Sequence, residues 1–194
     1  MVLLFNAVNN FVVQPNEAVF VDWLKTAIEA AIANAQDLLT ESEEKWAEFS
    51  INRPGVRDAT LSLSRAEVIT SPDQTFSFTD DTNPQVETVI PIIIIETIGR
   101  TITQQSAQGS RIYGASNFNI TILISRNGRD AYDYKNELIN MVNYIEQILL
   151  THNTVRLSPG YIDFAHIRYK DVGCTSAIIP LEVAINNFDY TIQE

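Results

Sequence analysis

The side chains with most chemistry to offer are two histidines, a single cysteine and a few loop acids. Acid–base catalysis or metal ligation requires such groups to converge. His152 falls at the end of a predicted helix, where an imidazolium meets the negative end of the helix dipole. His166 lies in a predicted strand three residues after Asp163, and that odd spacing sends the two side chains to opposite sheet faces. Cys174 follows Gly173 in a predicted short connection with no histidine beside it. As a nucleophile it needs a base that only His152 or His166 could bring from elsewhere in the fold. Asp73, Asp80 and Asp81 are the clustered oxygens that calcium accepts, but that stretch lacks the glycine and closing glutamate of a twelve-residue calcium loop and reads as solvated acids. Ser125 to Asp130 offers an anion no Gly-rich phosphate loop and reads as a turn followed by a helix cap. There is no G-x-S-x-G, H-E-x-x-H or G-x-G-x-x-G. The expectation is a non-enzymatic chain without a cofactor, metal site or catalytic residues.

Composition narrows the classes further. A length of 194 residues with 45% apolar content predicts a single domain over residues 1–194 with a substantial core. Thirteen basic residues against 24 acidic ones give a net charge of −11, a field that repels polyanions, and the basic residues are scattered singly. Sequence-specific nucleic-acid binding is therefore not expected. One cysteine forms no intramolecular disulfide, which fits a reducing compartment. The apolar opening Met1–Val8 lacks a basic n-region and is interrupted by Asn6, Asn9 and Asn10, and no apolar run is long enough for a membrane span. The expectation is a chain neither exported by a signal nor embedded in a membrane.

The elements that must position these groups follow from periodicity. After a lead-in over residues 1–14, Pro15-Asn16-Glu17 supplies helix-start chemistry. Phe20, Leu24, Ala27, Ile28, Ala31, Ala35, Leu38 and Leu39 then recur at helical steps. Thr40-Glu41-Ser42-Glu43 has capping-box form, so the helix breaks there and restarts through Trp46 and Phe49 until Asn52, Pro54 and Gly55 stop it. Thr60-Leu61-Ser62-Leu63-Ser64 alternates and, with Val68-Ile69, predicts a first strand. Residues 71–86 read as a long loop containing Phe76 and Phe78. Val89 to Ile95 is apolar at both parities and predicts a strand covered on both faces, with a half-exposed extension through Ile98 and Ile102. A connection over 104–114 leads to a strand at Phe118–Ile124, then a helix capped by Asp130 with the stripe Tyr134, Leu138, Met141, Val142, Ile145, Ile148 and Leu149. Strands at Tyr161–Lys170 and Ile179–Ile185 close the order. After Asn187 the apolar parity flips to Phe188, Tyr190 and Ile192. The fold class is α+β: a largely antiparallel sheet of about five strands, with a long N-terminal helix and a second helix packed on one face.

Material for subunit contacts is abundant: Ile92, Ile93, Ile94 and Ile95, the loop aromatics Phe76 and Phe78, and the tail aromatics Phe188 and Tyr190. The order of elements over roughly residues 16–190 resembles the tail terminator, or tail completion, proteins of tailed bacteriophages. It is carried by the long N-terminal helix, the Pro-containing apolar strand Val89–Ile95, the strand Asn119-Ile120-Thr121-Ile122-Leu123-Ile124, the helix from Asp130 and the closing Pro180-Leu181-Glu182-Val183-Ala184-Ile185. The lead-in and the 71–86 loop depart from that pattern. The resemblance implies a virion structural protein, assembled in the host cytoplasm and located in the tail or at the head-tail junction. It would form a homo-oligomeric ring, usually a hexamer, that caps the tail tube protein and joins the tail to a neck or head-completion protein. DNA would pass through a lumen to which an acidic chain does not bind. The alternatives from other classes are another neck, tube or baseplate subunit, a small-ligand-binding α+β module, and a hydrolase built on Cys174 with His152 or His166.

Overall fold

The computed structural model describes residues 16–70, 91–105, 112–125, 130–151, 155–157, 163–169 and 172–185. The lead-in, the 71–86 loop with Phe76 and Phe78, His152, Asp73, Asp80, Asp81 and the tail with Phe188 and Tyr190 lie outside the described residues. In chain order the elements are α1 (Asn16–Leu38), α2 (Glu43–Asn52), α3 (Val56–Ser64), β1 (Glu67–Ile69), β2 (Ile92–Gln105), β3 (Ile112–Ser125), α4 (Ala131–Leu150), β4 (Val155–Leu157), β5 (Asp163–Tyr169) and β6 (Val172–Ile185).

The six strands form one mixed, mostly antiparallel sheet in the order β1-β2-β3-β6, and the last position is shared by β4 and β5. β3 is the central strand. Its even-numbered residues Phe118, Ile120, Ile122 and Ile124 point into the main core with Ile93 and Ile95 of β2 and Ala177, Ile179, Leu181 and Val183 of β6. The helices cover that face, with Phe20, Leu24 and Ile28 of α1 and Leu138, Met141, Ile145 and Leu149 of α4 fully or almost fully buried against it. The α+β class and the placement of helices on one face hold, as does the expectation that β2 is covered on both faces. Ile92 is buried on the far side in a second cluster with Ile69, Leu123 and Cys174, and Ile94 packs against them.

Several sequence expectations need correction. Residues 60–64 are helical, not a strand. The alternation of Leu61 and Leu63 imitated a strand, but the buried set Val56, Ala59, Thr60, Leu63 and Ser64 has helical spacing, and that longer period wins. Gly55 does not only end a helix; with φ of 78° it is the N-cap that starts the next one. The first strand shrinks to β1, which runs parallel to β2. The helix break near Thr40 is real, but Ser42 is the cap, accepting from the Lys45 amide, whereas the Thr40 hydroxyl donates back to the Asp37 carbonyl. The described apolar strand begins at Ile92, after a non-strand Pro91, while Val89 and Ile90 lie outside the described residues; the supposed 104–114 connection is partly strand because β2 and β3 extend into it. Cys174 lies inside β6, not in a connection, and β4 was not foreseen.

Pro180, in the middle of a well-paired strand, needs an explanation because proline removes a ladder donor. β5 pairs with β6 as far as Ile178 and β4 takes up pairing at Leu181. Among the described residues, Ile179 and Pro180 have no partner on that side of β6.

Gly55 sits where the α2–α3 corner touches α4. A Cβ there would lie 2.8 Å from Asn136 Cβ and 2.9 Å from the Glu137 amide nitrogen. Asn140 Nδ2 ties the same corner down by donating to the Pro54 carbonyl at 2.9 Å. The Gly55→Ala variant combines left-handed backbone strain with overpacking, and a loss of about 2 kcal/mol or more in urea-denaturation stability is the expected outcome.

Candidate functional site

The described residues hold no group of three or more His, Cys, Asp or Glu placed to bind a metal ion. Cys174 is not in a disulfide and has no exposed surface, and it clusters with Ile69, Ile92 and Leu123. In the β5–β6 ladder its register partner is Ile167, and His166 is opposite Thr175. Asp163 and His166 are three positions apart on β5, as the sequence suggested. Of the residues singled out as contact candidates, Ile92, Ile93 and Ile95 are buried within the chain and Ile94 is half-buried. The surfaces offered outward are different ones.

The first is the arm formed by β2 and β3. From Glu96 to Thr101 every β2 residue is exposed, although all of them are strand. β1 pairs only with Ile92 to Ile94, so beyond Ile94 the outer edge of β2 has no strand partner among the described residues. A bulge shapes this arm. Thr97 pairs with Phe118 and Gly99 with Asn117, leaving Ile98 as the extra residue, 58% exposed. The insertion reverses the side-chain parity of β2 beyond it. Arg100, which would otherwise face away from the helices, is opposite Ser116 and on the helix side.

That parity reversal builds a polar anchor at the start of α1. Arg100 Nε and Nη2 each donate to a Glu17 carboxylate oxygen at 2.7 Å, and Ser116 Oγ donates to Oε1 at 2.6 Å. Glu17 is in the first turn, where a carboxylate also complements the helix dipole. Burial pushes its pKa up, but the hydrogen bonds from Ser116 and Arg100 and the guanidinium charge outweigh it and hold the carboxyl below its usual range.

The second surface is the outer side of the helical layer. A cleft of about 440 Å³ runs between Arg53 and Pro54 at the corner and Asn136, Ile139, Asn140, Asn143, Glu146 and Gln147 of α4. Its chemistry is that of carboxamides around one exposed isoleucine. Asn136 Nδ2 is buried and finds no acceptor among the described residues. A second, mostly apolar groove of about 300 Å³ lies between α1, α3 and α4, lined by Ala31, Ala35, Leu38, Leu63, Tyr144 and Ile148 among others. Buried Glu137 accepts a hydrogen bond from the Ser62 hydroxyl across the α3–α4 contact. No helix among the described residues is long and apolar enough to cross a membrane.

None of these surfaces was singled out from sequence. The arm was legible as an apolar strand with an alternating extension, but not the bulge, because two-residue periodicity carries no mark of one inserted position. No protein-family model matches the chain, and no curated protein matches it either.

The Glu17 anchor has a pH signature. A carboxyl whose folded pKa lies below its unfolded value stabilises fully above the unfolded value, and the contribution is lost as pH falls through the lowered one. The stability gap between the native chain and Glu17→Gln, measured by chemical denaturation, is expected to be widest near neutrality and to close as pH falls below the ordinary range of a glutamate carboxyl.

Proposed function

We propose that this chain is a virion structural protein that resembles a phage tail terminator, a ring that caps the tail tube and joins the tail to the neck or head-completion proteins. The observation that carries the reading is the outer edge of β2, which beyond Ile94 has no strand partner among the described residues, along an arm exposed over Glu96–Thr101. An unpaired strand edge is a template for a strand from another molecule, and monomeric proteins usually shorten, cover or charge such edges. The two ends of the sheet are unlike each other: β2 and short β1 at one side, β4 and β5 at the other. Exposed apolar side chains stand at both ends, Ile98 on β2 and Phe164 on β5. Pairing between unlike edges is head-to-tail and closes as a ring when the rotation per subunit fits. The net charge of −11 suits a lumen that passes DNA without holding it. In this reading the chain works in the tail or at the head-tail junction, and its axial contacts with the tube and the neck are assigned to the segment 71–86 and to the segment between β2 and β3.

A second reading, a small-ligand-binding module, rests on the apolar groove between α1, α3 and α4. Light scattering followed by negative-stain imaging separates the two. The terminator reading expects closed rings of about six subunits. It also expects Ile98→Lys, which places a charge on the open edge, to leave a folded chain that no longer forms rings. A native chain that stays monomeric, alone and with a tail tube protein added, would sink the ring and favour the ligand module.

A further inference from the structure

Helix α4 has a second apolar stripe besides the one it buries. Tyr132, Ile139 and Leu150 are 63%, 44% and 69% exposed, on the side opposite buried Leu138, Met141, Ile145 and Leu149. Positions 132, 139, 143 and 150 fall within about 40° of one another around the helix axis, a seam running its whole length. With Asn136 and Glu146 added, the seam has the alternating three- and four-residue steps of a helix that packs against another helix, with asparagines at Asn136 and Asn143 interrupting the apolar positions.

We propose that this seam docks the same seam of a second copy of the chain, the two α4 helices antiparallel and related by a two-fold axis at the level of Met141. The argument is self-complementarity. Positions 132 and 150, 139 and 143, and 136 and 146 are each centred on 141, so reversing the helix stacks Tyr132 on Leu150 of the second copy and Ile139 on Asn143, with Asn136 and Glu146 at one level on opposite flanks. The charges agree with that register. Lys135, the only cation of α4, and Glu146 lie on the same flank of the seam, and neither has an ion-pair partner among the described residues. In the antiparallel register Lys135 of each copy stands beside Glu146 of the other, giving two equivalent pairs. Parallel packing would instead place Lys135 against Lys135 and Glu146 against Glu146. The contact is independent of the open β2 edge and joins copies by a closed two-fold rather than head to tail.

Cysteine cross-linking of the full-length chain reads both the contact and its direction. Buried Cys174 stays in place. In the antiparallel register two copies of residue 132 lie about 27 Å apart along the axis, whereas 132 of one copy faces 150 of the other. Under mild oxidation, Tyr132→Cys alone and Leu150→Cys alone are expected to stay uncross-linked, while a mixture of the two gives a reducible dimer. Ile139→Lys added to both is expected to abolish it without lowering thermal stability, and Ile98→Lys is expected to leave it intact. Cross-linking of either single variant with itself would overturn the antiparallel register. Failure of the mixture to cross-link, with the chain monomeric at high concentration, would overturn the docking surface altogether.

Discussion

The placement of β3 between β2 and β6 is the constraint on which the other elements depend. β3 is flanked by paired strands on both sides between Gly114 and Leu123, and a one-residue slip on either side would turn Phe118, Ile120, Ile122 and Ile124 away from the helices. Burial of those four side chains fixes the register of both neighbours and, through them, the floor on which α1 and α4 rest. Phe118 links this floor to the helical layer directly, its ring packed at 4.7 Å between centroids against Phe20 of α1.

Two departures from regularity convert this scaffold into something with a shape of its own. The bulge at Ile98 lets one strand serve two environments. Before it, β2 packs between a helical layer and a second apolar cluster; after it, β2 leaves the core and turns Arg100 back toward α1. Gly55 does the same for the helices by letting α3 start immediately after α2 and lie close against α4. Polar ties at both places hold irregular backbone that apolar packing alone would not: Glu17 with Arg100 and Ser116, and Asn140 with Pro54.

Much of the architecture was legible in the sequence because strong periodicity over long elements carries the information. The α1 stripe from Phe20 to Ala35, the Asp130 cap of α4 and the doubly apolar strand followed from spacing, whereas Leu38, counted in that stripe, is exposed; Asp130 does accept from the Tyr132 amide. α3 was misread because five residues of alternation were allowed to outweigh the helical spacing of Val56, Ala59 and Leu63. Strand lengths were underestimated at the arm because exposed strand lacks an apolar parity to mark it. The outward seam of α4 was hidden for a related reason. A helix with two apolar sides shows its stronger stripe first, and Tyr132, Ile139 and Leu150 became visible as a set only once exposure separated them from the core residues.

Pro180 has a meaning for the nascent chain that the finished sheet conceals. Until β4 and β5 settle, the outer side of β6 is a long run of small and apolar residues, Gly173 to Ile185, with the composition that recruits other unfolded chains into aggregates. A proline two-thirds of the way along interrupts that run, because it has no amide hydrogen to donate to a foreign strand. Proline inside an apolar strand is the type of residue that serves as a gatekeeper while misassociation competes with folding.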